Sequence, residues 1–162
     1  MLRTNGLPRS LPILAIILTA GAGAYAHVTV RPRESGAGIS EKYTMRVPTE
    51  RAVSTVRVEI EFPVGAEISS FEEKPGWKIE PKKDASGKIV GAIWSGSIIP
   101  PRQVVEFGFV ARNPAEETKL VWKVIQIYED GGRSEWTGEQ GSPTPAPVTI
   151  IKKVSADSVS PR

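Results

Sequence analysis

The sequence predicts an all-β chain whose main region folds as a two-sheet antiparallel sandwich. Three observations carry this. Apolar and polar residues alternate with period two through almost all of the chain after residue 26. Fourteen prolines and fifteen glycines cut the alternation into short runs. No long stretch places apolar residues at helical spacing.

The elements follow in order. His27-Val28-Thr29-Val30-Arg31 opens the series, and Pro32 ends it. Residues 42–47 put Tyr43, Met45 and Val47 on one face. Val56, Val58, Ile60 and Phe62 alternate with Arg57, Glu59 and Glu61, the clearest amphipathic strand of the chain. Short strands are expected at 77–80 and 89–94, with Asp84-Ala85-Ser86-Gly87 as the turn between them. Strands at 104–111 and 120–128 come next; the second sets Val121, Lys123, Ile125 and Ile127 opposite Trp122, Val124 and Tyr128. Asp130-Gly131-Gly132 is a hairpin signal that brings residues 133–137 back along the preceding strand. Residues 138–147 read as a loop or extended connection, and 148–154 as the last strand. There is no internal repeat.

Ahead of these strands stands a segment with the three parts of a secretory signal. Arg3 and Arg9 give a positive start, residues 11–18 an apolar middle, and Ala24-Tyr25-Ala26 a small-residue exit. The expected organisation is a signal peptide at 1–26, one sandwich domain at 27–154 and a disordered tail at 155–162. The apolar run is too short for a transmembrane helix, which needs about 20 residues. The mature protein is therefore expected to be periplasmic or secreted, monomeric, and without a membrane anchor. Cleavage removes two arginines and no acid, so the formal charge falls from +3 to +1. No nucleic-acid footprint remains. With no cysteine in the chain, apolar packing has to hold the fold, and a thiolate metal site is excluded.

The one histidine of the chain, His27, directly follows the cleavage motif. Cleavage after Ala26 makes it the first residue, and its α-amino group and imidazole Nδ1 then close one chelate ring on a metal ion. Nitrogen donors of this kind suit Cu(II), which favours a tetragonal set of nitrogen and oxygen ligands. A carboxylate would extend the set, and Glu34, Glu41 and Glu50 are the candidates near the N-terminal strand. Glu50 stands just past a strand end, where a side chain can project from a rigid sheet. Each of them is equally readable as a solvated surface group. Trp77, Trp94 and Trp122 lie in strand patterns and read as core or sheet-covering residues. Trp136 follows the glycine turn in a polar neighbourhood, where an exposed indole could cover a metal or simply pack on the sheet rim.

Taken together, His27-Val28-Thr29-Val30, Ala37-Gly38, the run Tyr43-Thr44-Met45-Arg46-Val47-Pro48-Thr49-Glu50, Pro75-Gly76-Trp77, and Gln126-Ile127-Tyr128-Glu129-Asp130-Gly131 with Trp136 resemble the YcnI-like copper-binding domain family. The similarity runs from His27 to about Val154. It implies an immunoglobulin- or fibronectin-like sandwich that binds Cu(II) through a single-histidine brace. By this resemblance His27 gives two nitrogens, Glu50 an oxygen, and Trp136 lies at the metal. Glu34 and Tyr43 fall in the matched region as candidate supporting groups.

The expected function is that of a non-catalytic copper-binding protein, a chaperone, buffer or homeostasis factor, with a copper-trafficking protein as a possible partner. A copper oxidase resembling lytic polysaccharide monooxygenases is the main alternative, but those enzymes complete their brace with a second histidine, which this chain lacks. A partner-binding sandwich with no metal is the other. A soft Cu(I) site fits badly, because only Met45 survives processing.

Overall fold

The computed structural model describes residues 26–153. Most of the expected signal segment and all of the expected tail lie outside the described residues. In chain order the strands are β1 (Thr29–Arg31), β2 (Glu34–Gly36), β3 (Ser40–Pro48), β4 (Thr55–Glu61), β5 (Glu67–Phe71), β6 (Lys78–Lys83), β7 (Ile89–Ile99), β8 (Val104–Arg112), β9 (Thr118–Val121), β10 (Lys123–Tyr128), β11 (Arg133–Trp136) and β12 (Val148–Lys152). Among the described residues there is no helix. The all-β expectation holds.

Two large sheets face each other, one ordered β1-β3-β8-β5 and the other β11-β10-β4-β7-β6. All their pairings are antiparallel. Alternation sends every second side chain inward. Tyr43, Met45 and Val47 of β3 and Phe107, Phe109 and Ala111 of β8 thus meet Val58 and Ile60 of β4, Trp94 of β7 and Val124 of β10 in one core. Burying each of the larger apolar side chains contributes about 1.5–3 kcal/mol. With no disulfide available, this burial is what offsets the ordering cost of the chain. Aromatic rings make up much of the core, with Tyr43 and Trp122 centred 4.8 Å apart and Trp94 and Phe107 5.2 Å apart.

The structure departs from the sequence reading in three places. The expected single strand at 120–128 is two strands in two different sheets. Trp122 marks the break. Its backbone N–H donates to Pro147 O at 2.9 Å and its indole N–H to Thr149 Oγ1 at 3.2 Å, which turns β9 into a small third sheet ordered β2-β12-β9. The alternation continues through both pieces, so the pattern shows no joint. In that third sheet β2 and β12 run parallel, which the antiparallel expectation did not include. Finally, β2 and β5 are strands where none was expected; both are short and contain no fully buried residue, with too few apolar residues to show a period.

The glycine turn behaves as expected. Gly131 has φ +78°, a conformation glycine adopts without steric cost. Asp130 Oδ1 accepts from the Gly132 N–H at 2.9 Å, and Tyr128 N–H donates to Gly132 O at 2.9 Å. β11 is returned along β10, with Trp136 opposite Val124. That leaves β1 as one edge of its sheet and β11 as one edge of the facing sheet, with β5 and β6 at the opposite edges.

Candidate metal centre

The site lies where the β1 and β11 edges meet. Val28 and Val30 are buried and anchor the N-terminal strand, and Thr29 pairs with Arg46. Continuing that register outward brings exposed His27 level with the end of β3. Its imidazole centroid lies 5.6 Å from that of the Trp136 indole, at an interplanar angle of 56°.

Glu50 enters from the third direction, as the second residue past Pro48. Its carboxyl is raised above the usual carboxylate range, because desolvation outweighs the opposing pull of His27. The residue as a whole is solvent-exposed, so the shift is a statement about neighbourhood and not about stability. His27 and Glu50 share one electrostatic environment. The structure therefore brings His27, Glu50 and Trp136 to one corner of the sandwich.

Of the two readings of Trp136, an exposed indole or one packed on the sheet rim, the second is observed: the residue is only 4% exposed. It lies on the inward face, opposite Val124, and its N–H donates to Gln126 Oε1 at 2.6 Å. The ring therefore forms a wall behind His27, not a lid in solvent.

Gln126 is the residue that sequence reasoning missed. It is fully buried, and its Nε2 donates to Pro48 O at 2.8 Å and to Thr55 Oγ1 at 3.1 Å. A signal was present: Gln126 falls on the inward face of its strand, between Val124 and Tyr128, where a polar side chain must have a buried partner. The loop carrying Glu50 is also tied from outside. Thr49 N–H donates to Gln103 O at 2.9 Å and Arg102 N–H to Thr49 O at 2.8 Å. The Arg51 guanidinium lies 4.6 Å from the Tyr128 ring centroid, and its Nη2 donates to Asp130 Oδ2 at 2.9 Å.

Tyr43 and Glu34 are not supporting groups of this corner. The Tyr43 hydroxyl donates to Asn113 Oδ1 at 2.6 Å in the core, and Glu34 pairs with Lys152 at 2.7 Å on the surface. Glu41 is likewise engaged elsewhere, accepting from Ser35 Oγ at 2.6 Å. Of the three candidate carboxylates, Glu50 is the one whose carboxyl, raised chiefly by desolvation, also feels the opposing pull of His27.

Among the described residues, no three histidine, aspartate or glutamate side chains converge as a ready-made metal cluster. The corner supplies one imidazole and one carboxylate; in a chain cut after Ala26 the α-amino group of His27 would join them. That is a nitrogen-rich set with one hard oxygen, open to solvent on one side and walled by an indole on the other. It fits Cu(II) in type, and it cannot build the thiolate-rich or all-oxygen shells other metals prefer. Beside it, a cleft of about 220 Å³ opens between His27, Thr29 and Arg33 and the segment bearing Gln140 and Pro145.

Comparison with known proteins agrees with this reading of the fold. A family described as a domain of unknown function, DUF1775, matches residues 27–151. The copper-binding protein CutI of Bacillus subtilis (strain 168) is 37% identical over 153 residues, covering 93% of this chain and 74% of that protein. An uncharacterized protein from Nocardia farcinica, with an immunoglobulin-like fold, matches at a TM-score of 0.67 and 24% identity. The match covers 77% of this chain and 97% of the other, and it shows the fold alone.

Proposed function

The chain belongs to the DUF1775 family, the YcnI-like proteins of the resemblance above, and from that premise we propose that it is a non-catalytic Cu(II)-binding protein. In this reading the segment 1–26 is a signal peptide, the exported form begins at His27, and the protein works in the periplasm or outside the cell as a copper chaperone, buffer or homeostasis factor. The observation that carries it is the approach of the His27 imidazole to Trp136 within a corner that Glu50 also enters. The name of the Bacillus relative, a copper-binding protein, supports the choice of metal.

His27 offers the amine and Nδ1, and Glu50 the carboxylate. Trp136 excludes water from one flank and lowers the local dielectric, which strengthens the attraction between the cation and the carboxylate. A bound cupric ion would add a redox-active centre. The single histidine gives no second imidazole to hold it through oxidative turnover, which favours storage or transfer over catalysis. A copper-trafficking protein is the expected partner.

The deciding experiment compares protein beginning at His27 with the same protein preceded by one alanine. The extended form keeps every side chain but loses the terminal chelate. Cu(II) titration followed by electron paramagnetic resonance is expected to show a nitrogen-rich site, strongly weakened in the extended form. Equal affinity and equal spectra would overturn the brace.

A further inference from the structure

We propose that Gln126 is the positioning residue of this site, the one side chain that fixes Trp136 and residues 48–50 in a common frame. The inference rests on the copper-binding reading above and adds a residue that lies outside the ligand set.

A glutamine amide has one acceptor oxygen and two N–H donors, and here all three are used. Oε1 accepts from the Trp136 indole, while Nε2 donates to the Pro48 carbonyl and to Thr55 Oγ1. The rest of the chain then has only one polarity. Thr49 commits its hydroxyl hydrogen to Ile99 O at 3.1 Å, so the 2.7 Å bond between the two threonines must be donated by Thr55. Hydrogen bonds run in one direction from the indole through Gln126, Thr55 and Thr49 to the Ile99 carbonyl. The path crosses β11, β10, β4, the end of β3 and β7, joining both large sheets at the site.

This polarity locks the amide. A flipped Gln126 would set N–H against the indole N–H and oxygen against the Pro48 carbonyl, two repulsive contacts in a buried setting. The orientation of the indole is thereby tied to the carbonyl two residues ahead of Glu50. An apolar side chain of equal length would fill the same space. What the amide adds is orientation: it connects the wall behind His27 to the loop that presents the carboxylate.

The test uses protein beginning at His27, titrated with Cu(II). Gln126→Met keeps the length and removes all three bonds. It is expected to lower copper affinity about tenfold or more, the usual effect of losing a group that orients ligands. The copper hyperfine pattern is expected to change. In the metal-free protein the Trp136 indole N–H resonance is expected to shift and its hydrogen to exchange faster. Tyr43→Phe, which removes a buried hydrogen bond away from this corner, is expected to cost stability while leaving affinity and spectrum close to wild type. A Gln126→Met protein with wild-type copper affinity and hyperfine pattern would overturn the proposal, whatever its stability and its indole signal. If that variant does not fold, Gln126→Asn, too short to reach both Trp136 and Pro48, is expected to give the same copper changes, and wild-type values there would overturn it equally. A wild-type protein that takes up no Cu(II) would instead defeat the copper-binding reading itself.

Discussion

The rings of His27 and Trp136 lie 5.6 Å apart, although one belongs to the edge of the β1 sheet and the other to the edge of the facing sheet. Neither sheet can form the corner alone. Their approach depends on the sandwich closing over the core of Tyr43, Trp94 and Trp122, so the proposed metal site is expected to be linked to folding. A ligand that binds only the closed form also stabilises it. Cu(II) added in excess is expected to raise the unfolding midpoint of protein beginning at His27, and to leave the alanine-extended form nearly unchanged. Equal midpoints with and without copper would separate the site from the sandwich.

Replacing Trp136 by phenylalanine tests the wall. The change keeps an aromatic ring on the inward face but removes the indole N–H, which leaves Gln126 Oε1 without its donor. A buried acceptor deprived of its partner costs about 1–3 kcal/mol. Urea unfolding is expected to show a loss of that size with an unchanged slope. The copper spectrum of the variant is also expected to differ from wild type, since the ring beside His27 is altered. Full stability together with an unaltered spectrum would mean that the indole N–H matters to neither fold nor site.

Gly132 is the contact surface for Arg51. A Cβ placed there would clash with the Arg51 guanidinium and crowd Asp130 Oδ1. Arg51 is flexible and will swing away, so Gly132→Ala is expected to break its pair with Asp130 and its stacking on Tyr128. Both interactions are exposed, and each is worth up to about 1 kcal/mol. The predicted outcome is a small loss of global stability. The larger effect is expected in the loop: the Glu129 amide, bonded to Ser54 O at 2.9 Å, is expected to exchange faster. Unchanged exchange at Glu129 would show that Arg51 does not hold this loop.

Much of this architecture is legible in the sequence, and the failures have physical causes. The Val58–Ile60 alternation and the Asp130-Gly131-Gly132 turn are local signals, and both give the observed elements. The break at Trp122 is not local. It is set by Pro147 and Thr149, which approach from the far end of the chain. His27, Glu50 and Trp136 stand out by residue type and position, but their convergence depends on which strands become edges. Gln126 escaped because a polar residue inside an apolar alternation looks like a blemish until its partners on three other strands are seen.

Alkaline titration probes the core. Tyr43 is fully buried, and burial, the largest influence, pushes its hydroxyl up to about 12. Its folded value lies above the unfolded one near 10, so the folded state holds the proton more tightly. The corresponding stability is fully present below about pH 10 and is lost as pH rises from there to about 12, a decline of roughly 3 kcal/mol at most. Tyr43→Phe is expected to flatten this limb of the stability profile, although it leaves Asn113 Oδ1 without its donor and lowers stability at neutral pH. An unchanged alkaline slope would locate the transition elsewhere.

Glu50→Gln separates the charge of the site from its shape. The carboxyl is raised by desolvation and pulled back by His27, so it takes up a proton earlier in acid than a free glutamate would. A protonated carboxyl cannot serve as an anionic ligand, so under the proposed site wild-type copper affinity is expected to fall with pH, partly through Glu50 and partly through the nitrogens. Glutamine keeps a carbonyl oxygen in place but carries no charge and no proton to exchange. The variant is expected to bind Cu(II) at least roughly tenfold more weakly at neutral pH. Its affinity is also expected to decline less steeply in acid, because only the nitrogen donors then compete with protons. Glu34→Gln serves as the control, since Glu34 is occupied with Lys152 away from the corner. Affinity measured across pH for the three proteins gives the answer: superimposable curves for wild type and Glu50→Gln would remove Glu50 from the ligand set, whereas a flattened acid limb in that variant alone would place its carboxylate on the metal.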